Sequence, residues 1–277
     1  MKKISTLIVP AAGAGTRLRP MTFFTPKELL RLVDKPIFYY LIAEAHTAGI
    51  KNILFVVHKQ NRQLPAFLKS SAAKQLLKEF TGIKVGCVIT NRRDGDAQAI
   101  LAAKKFIKPG QVFAVSMGDL LSLPGTSLLR ELKDAYKICR GSVISVKHVP
   151  RALVSNFGNI DPEKVGKNLY RVRRIIEKPL PKDAPSTLAM TGKYVLDSDI
   201  FPLLQKIVDS REPDQEARLS KCLDVYAKTN SLFAYVTKDS HYDTGNKLAL
   251  AQTELIFSLA HQGIGKQLKE AIKKYAR

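Results

Sequence analysis

Gly13, Gly15, Thr16 and Arg17 follow an apolar run that closes in the small residues Pro10, Ala11 and Ala12, and Lys27 lies ten residues beyond Arg17. Glycines let a backbone approach a ligand closely and expose its N–H groups. A hydroxyl and two fixed cations beside such a turn complete the equipment of a phosphate site. The spacing is not that of a P-loop, because no Gly-Lys-Ser/Thr closes the turn. A dinucleotide fingerprint fits poorly too: Leu18 stands where a third glycine belongs, and the next strand, Asn52 to Val57, runs into His58 and Lys59 instead of an acidic ribose ligand.

Two aspartates follow strand-like runs. Asp119 comes after Val112 to Met117, and Asp243 comes a short loop after Phe233 to Thr237. Mg²⁺ takes one or two carboxylates and completes its octahedron with waters and phosphate oxygens, so two strand-end acids suit it. Each alone reads equally as a turn or helix-cap carboxylate. Glu177 and Lys178 end the basic strand Tyr170 to Ile176. Such a pair can hold vicinal hydroxyls while neutralising a phosphate, or simply be a solvated pair ahead of Pro179. Gly95 to Ala99 opens a helix whose N-terminus can approach a nucleoside. Gln98 there reads as a base or ribose contact, or as a solvent-facing helix residue.

The segment Ala11 to Pro36, AAGAGTRLRPMTFFTPKELLRLVDKP, resembles the sugar-phosphate nucleotidylyltransferases, whose pattern is a glycine turn, Thr-Arg, a proline, and Pro-Lys ahead of Asp-Lys-Pro. The likeness continues in order through Gly95 to Ala99 (GDAQA), Gly118-Asp119, Asn156 to Asp161 (NFGNID), Ile176 to Pro179 (IEKP), Thr191 to Leu196 (TGKYVL) and Tyr242 to Gly245 (YDTG), spanning most of the chain. The resemblance implies a Rossmann-like, GT-A-like α/β fold and in-line attack of a sugar-1-phosphate oxygen on the α-phosphorus of a nucleoside triphosphate. The expected substrates are UTP and glucose-1-phosphate and the expected products UDP-glucose and pyrophosphate, with Mg²⁺ as cofactor; thymidylyl specificity, or a weakened paralogue that only binds nucleotide sugar, are the alternatives.

Carried over residue by residue, the resemblance makes Arg17 and Lys27 catalytic. It gives Ala12, Gly13, Gly15, Thr16, Gly95 and Gln98 to the nucleotide, Gly158, Glu177, Lys178 and Gly192 to the sugar phosphate, and Asp119 and Asp243 to the metal. It also implies a homo-oligomer, a dimer or tetramer. The chain departs from the pattern at several places. Thr90 stands where a base-reading glutamine is expected, Leu120 where a second aspartate is usual, Arg31 for a proline and Phe157 for a tyrosine. Asp214 to Lys221 (DQEARLSK) replaces a segment that usually reads Gly-Gly-Glu-Ile-Gln-Leu-Thr-Asp.

The elements needed to position these residues are visible in the hydrophobic pattern. Strand signals recur at Leu7–Val9, Ile53–Val57, Val85–Ile89, Val112–Ser116, Ser142–Val146 and Tyr194–Leu196, with helical patterns over Pro36–Ala48, Ala97–Phe106 and Ser127–Ile138. Alternation of this kind predicts a mostly parallel sheet flanked by helices, with ligands at the carboxyl ends of the strands. Lys147 to Met190 breaks the alternation with five prolines and reads as a small antiparallel, sugar-side insertion folded over the sheet edge. Helices over Lys247–His261 and Ile264–Tyr275 close the chain, and residues 1–277 read as one domain. The chain has 45 Lys+Arg against 24 Asp+Glu, a net +21. That excess is spread out and lacks the aromatic interleaving of single-strand binders, so nucleic acid is not expected as a partner. There is no signal-peptide pattern, no membrane-spanning apolar run, and no disulfide or zinc spacing among Cys87, Cys139 and Cys222; a cytoplasmic protein is expected.

Overall fold

Leu7 and Val9 pack into one apolar cluster and Ile8 into another, on opposite faces of the first strand. Period-2 alternation demands this of a strand covered on both sides. The computed structural model describes residues 2–212, 214–238 and 241–275. Among them the strands, in chain order, are β1 (Thr6–Ala11), β2 (Arg31–Leu32), β3 (Lys35–Pro36), β4 (Asn52–His58), β5 (Lys84–Thr90), β6 (Val112–Ser116), β7 (Leu120–Ser122), β8 (Ser142–His148), β9 (Gly158–Lys164), β10 (Leu169–Glu177), β11 (Leu188–Asp197), β12 (Leu232–Val236) and β13 (His241–Asp243).

Nine of these form one sheet in the order β5-β4-β1-β6-β11-β8-β12-β10-β9. The first four are parallel, as the alternating pattern predicts. The second half is mixed. β11 runs antiparallel between β6 and β8, β12 is parallel to β8, and β10 and β9 add antiparallel strands at the edge. The prolines of 147–190 therefore punctuate strands that extend the sheet. That edge also curls back, since Ala189 of β11 pairs with Asn159 of β9.

One face is covered by the helices Ile37–Thr47, Leu128–Cys139 and Lys247–Ala260, which contribute Phe38, Leu41, Leu129, Leu132 and Phe257. The helices Asp96–Ala102, Phe201–Asp209 and Leu219–Thr229 cover the other with Ile100, Phe201, Leu204 and Leu223. Phe201–Asp209 and Leu219–Thr229 go beyond the helices expected from the sequence. Pro202 reads as a breaker there but sits in the first turn, where its missing N–H costs nothing. Ala97–Phe106, expected as one helix, is an α-helix to Ala102 and then a 3-10 turn over Lys104–Phe106.

A charged bolt joins these layers beneath the carboxyl ends of the strands. The Lys193 ammonium of β11 is fully buried and donates to Glu44 Oε2 (2.7 Å), Ser116 Oγ (2.9 Å) and the Leu120 carbonyl (2.8 Å). Its three N–H donors are thus all used. The other Glu44 oxygen accepts from the Leu129 amide at 3.2 Å. Removing one member of a buried pair strands the other in a medium that cannot solvate it. Glu44→Gln is expected to lower the unfolding free energy by about 3–5 kcal/mol in urea titrations. The Glu44→Gln, Lys193→Met double variant should lose less than the sum of the two single losses.

Candidate active site

The turn after β1, the loop after β6 and the two-stranded β7–β13 sheet meet at the carboxyl ends of the parallel strands, around a cleft of about 690 Å³. That volume is in the range of small-ligand sites. Ala12, Gly13, Arg17, Lys27, Gly95, Asp119, Gly158, Glu177, Lys178, Gly192 and Asp243 all line it. Gly15, Thr16 and Gln98 do not, although Gly15 shapes the turn. Its φ is +63°, and its carbonyl accepts from Thr22 Oγ1 at 2.8 Å. A Cβ there would press on the Thr22 methyl. Thr16 is exposed beside the cleft.

Antiparallel pairing of β7 with β13 sets Asp243 opposite Leu120, and so beside Asp119. Thr244 locks the junction, its amide and hydroxyl both donating to the Asp119 carbonyl at 2.8 and 3.1 Å. Asp119 Oδ2 and Asp243 Oδ1 each lie 3.0 Å from the point a Cβ on Gly245 would occupy. The two oxygens are therefore within twice that distance of each other. An Arg17 guanidinium nitrogen lies 3.3 Å from the same point, and Lys27 Nζ is 3.3 Å from Asp119 Oδ2. The two cations and two acids expected from the sequence form one cluster.

The cluster is electrostatically uneven. Burial pushes the Asp119 carboxyl up, but Lys27 and Arg17 more than offset it and hold the group below its ordinary value. Asp243 is raised, first by burial and then by the Asp119 charge, against the Gly245 amide, Arg17 and Lys27. Burial lowers Lys27, yet Asp119 and Glu28 bring it above the usual ammonium value. A divalent cation between the carboxylates would relieve the repulsion on Asp243. Among the described residues no group of three or more His, Cys, Asp or Glu side chains could hold a metal. The two-carboxylate set suits a hard cation that keeps waters and takes phosphate oxygens, and does not suit a closed all-protein cage.

At the edge expected to meet the sugar phosphate, the β9–β10 register sets Glu177 opposite Gly158, and a Cβ on Gly158 would lie 3.1 Å from Glu177 Oε2. Lys178 has a positive φ of 48°, a rare conformation for a side chain of its size; its amide donates to the Phe157 carbonyl at 3.1 Å. Gly192, with φ of 74°, allows Leu120 to pack where a Cβ would overlap its methyl. Leu120 thus fills space against the Gly192 backbone.

At the loop expected to meet the nucleotide, Gly95 is obligatory because a Cβ would collide with the Ala217 backbone. Gln98 is buried and turned toward Thr90, its Nε2 donating to Thr90 Oγ1 at 3.4 Å. Gln98 and Thr90 stay outside the cleft, while Gly95 lines it. The cleft also holds residues that the sequence did not single out: Arg93, Asp96, Lys147, Tyr194, Arg218 and His241. Asp96 is pushed up to about 6 by burial against the amides of Leu219 and Ala97. His241 falls to about 3 through burial and the charges of Lys147 and Lys193, and is neutral at ordinary pH. These residues carry no recognisable spacing. Asp96 and Tyr194 fall inside the GDAQA and TGKYVL runs without a role of their own there, and Arg218 is a cation in a segment that departs from its pattern.

Comparison with known proteins follows the same lines. Residues 6–256 match the family model described as nucleotidyl transferase. The chain is 36% identical over 295 residues to UTP--glucose-1-phosphate uridylyltransferase 2 of Streptococcus pyogenes serotype M3, covering 99% of this chain and 96% of that protein. Among solved structures, a UDP-glucose pyrophosphorylase complexed with UDP-glucose superposes with a TM-score of 0.83 at 28% identity, covering 94% of this chain and all of that one. The UTP-bound UGPase from Acinetobacter baumannii gives 0.84 at 28% identity, covering 99% of this chain and all of that one.

Glu28, beside Lys27, is 1% exposed and its Oε1 has no hydrogen-bond partner. Burial raises it from 4.5 to about 7, against the Lys27 charge. The native state then holds the Glu28 proton more tightly than the unfolded chain does. Its contribution to stability falls as pH rises from 4.5 to about 7 and stays low above. Glu28→Gln is expected to be more stable than the parent by about 3 kcal/mol near pH 8. The advantage should shrink as pH falls through 7 and vanish below 4.5, as read by urea unfolding across that range.

Proposed function

The chain belongs to the nucleotidyl transferase family, and on that premise we propose that it joins UTP to glucose-1-phosphate, giving UDP-glucose and pyrophosphate. The observation that carries this reading is the single cluster of Arg17, Lys27, Asp119 and Asp243 at the strand ends. The names of the relatives support the choice of base and sugar. The intact cations and acids favour turnover over a role limited to binding.

A phosphate oxygen of the sugar phosphate attacks the α-phosphorus, a new O–P bond forms, the bond to the β-phosphate oxygen breaks, and pyrophosphate leaves with the electron pair. Such a reaction needs alignment and charge neutralisation more than acid or base groups. The backbone of Ala12 and Gly13 at the cleft wall receives the triphosphate with Arg17. Lys27, freed from Asp119 as phosphates enter, sits between the two anionic reactants. Gly95 lets the base approach the loop before the helix Asp96–Ala102. Glu177 takes hexose hydroxyls, Lys178 the sugar phosphate, and Gly158 and Gly192 keep the sugar wall free of side chains. Asp119 and Asp243 would hold Mg²⁺, which supplies charge neutralisation to the phosphate oxygens when bound.

No helix among the described residues is long and apolar enough to cross a membrane, and the three cysteines are free thiols; a cytoplasmic setting is part of this reading. So is self-association. Leu248 and Leu255 on Lys247–Ala260, with Ile272 and Tyr275 on the last helix, form exposed apolar surface suited to a second copy of the chain.

Pyrophosphate release from UTP, dTTP, CTP or GTP with glucose-1-phosphate and Mg²⁺ tests the reaction, and UTP is expected to give the highest kcat/KM. Release from none of the four would remove the proposal. Lys27→Ala should keep the parent's circular dichroism and lose about 10²- to 10³-fold in kcat, the scale for deleting one preorganised charge at a transition state.

A further inference from the structure

Arg218 joins the two halves of the cleft. Its Nη1 donates to Glu177 Oε1 at 2.7 Å, its Nη2 lies 3.5 Å from Glu216 Oε2, and both Arg218 and Glu177 line the cleft. The backbone on either side of Arg218 is fixed to the base-side loop. The Ala217 amide donates to the Asp94 carbonyl at 2.6 Å, the Ala97 amide to the Ala217 carbonyl at 3.0 Å, and the Leu219 amide to Asp96 Oδ1 at 2.8 Å. The guanidinium is thus held by the nucleotide half and reaches into the sugar half. One Glu177 oxygen is occupied by it. The other, Oε2, is the oxygen beside Gly158.

A carboxylate with both oxygens free grips two neighbouring hydroxyls as a double acceptor. One with an oxygen engaged by arginine has fewer acceptor sites left for hydroxyls, while the guanidinium offers further N–H donors and no acceptor. We propose that Arg218 is a specificity-determining residue for the sugar phosphate: it orients the Glu177 carboxylate and donates to a hexose hydroxyl oxygen, so that the sugar is read by a mixed donor–acceptor pair. The inference rests on the sugar-phosphate reading above and names who recognises the hexose within it.

The test uses the full-length protein with Arg218→Gln and Arg218→Lys, and circular dichroism to confirm folding. With glucose-1-phosphate varied at saturating UTP, Arg218→Gln should raise the KM for glucose-1-phosphate about tenfold or more, the scale of one charge-assisted hydrogen bond. The KM for UTP should stay within about twofold, and Arg218→Lys should recover part of the loss. Among glucose-1-phosphates each lacking one hydroxyl, the parent should discriminate against one analogue that Arg218→Gln accepts as readily as glucose-1-phosphate. An unchanged or lowered KM for glucose-1-phosphate in Arg218→Gln, with the parent active, overturns this inference and leaves the reaction standing. Calorimetric titration with UDP-glucose makes the same comparison without turnover: binding at least about tenfold weaker in Arg218→Gln supports the role, and equal affinity overturns it. A parent that neither releases pyrophosphate nor binds UDP-glucose overturns the reaction and this inference together.

Discussion

Two carboxylates held close together repel each other, and most of the architecture around the cleft answers that constraint. Asp119 and Asp243 belong to distant parts of the chain and are neighbours only because β7 and β13 pair and Thr244 bonds back to the Asp119 carbonyl. With Asp119 largely buried and Asp243 open to the cleft, such a pair is eased by positive charge at hand. Lys27 and Arg17 supply it from the segment that follows β1, and their effect falls mainly on Asp119. The residual strain sits on Asp243, whose proton affinity is raised. An anionic substrate that draws the cations away, and a divalent ion that replaces them, would enter a site already electrically prepared for exchange.

The supports of this cluster are themselves charged. Lys193 holds the Leu120 carbonyl, one residue beyond Asp119, while its neighbour Gly192 accepts from the Met117 amide. Glu44, in a helix on one face of the sheet, anchors that ammonium. Backbone positions beside Asp119 and at Gly192 are therefore fixed around one satisfied ionic network. Flexible packing alone would leave them free to drift by the fraction of an ångström that matters to an in-line displacement.

What could be read from the sequence was what is local. The Gly13–Arg17 turn, Lys27 and the strand-end aspartates are defined by residue type next to a hydrophobic run, and the structure gathers them where a parallel α/β sheet puts its ligands. Glu177 and Lys178 were legible through the run that resembles a known family. Gln98 shows the limit of such reading. Its place at the start of a helix suggests a ligand contact, but the helix turns it inward against Thr90. The curl of the sheet edge that brings β9 to β11, and the ion pair of Arg218 with Glu177, depend on pairings between distant segments. No periodicity within a short window encodes those. Antiparallel strands were expected over 147–190, but the antiparallel run of β11 between β6 and β8 was not, since strand direction is set by where the chain returns from.

The burial of Lys193 gives this strongly basic protein an internal clock. Most of its amines meet solvent and would react with an acylating reagent at rates set by local exposure. The Lys193 amine has no such route. It becomes available only when Glu44, Ser116 and Leu120 release it together, an event that separates a covering helix from the sheet. Its labelling would therefore count cooperative openings of the fold, while the fast-reacting lysines around it count only reagent.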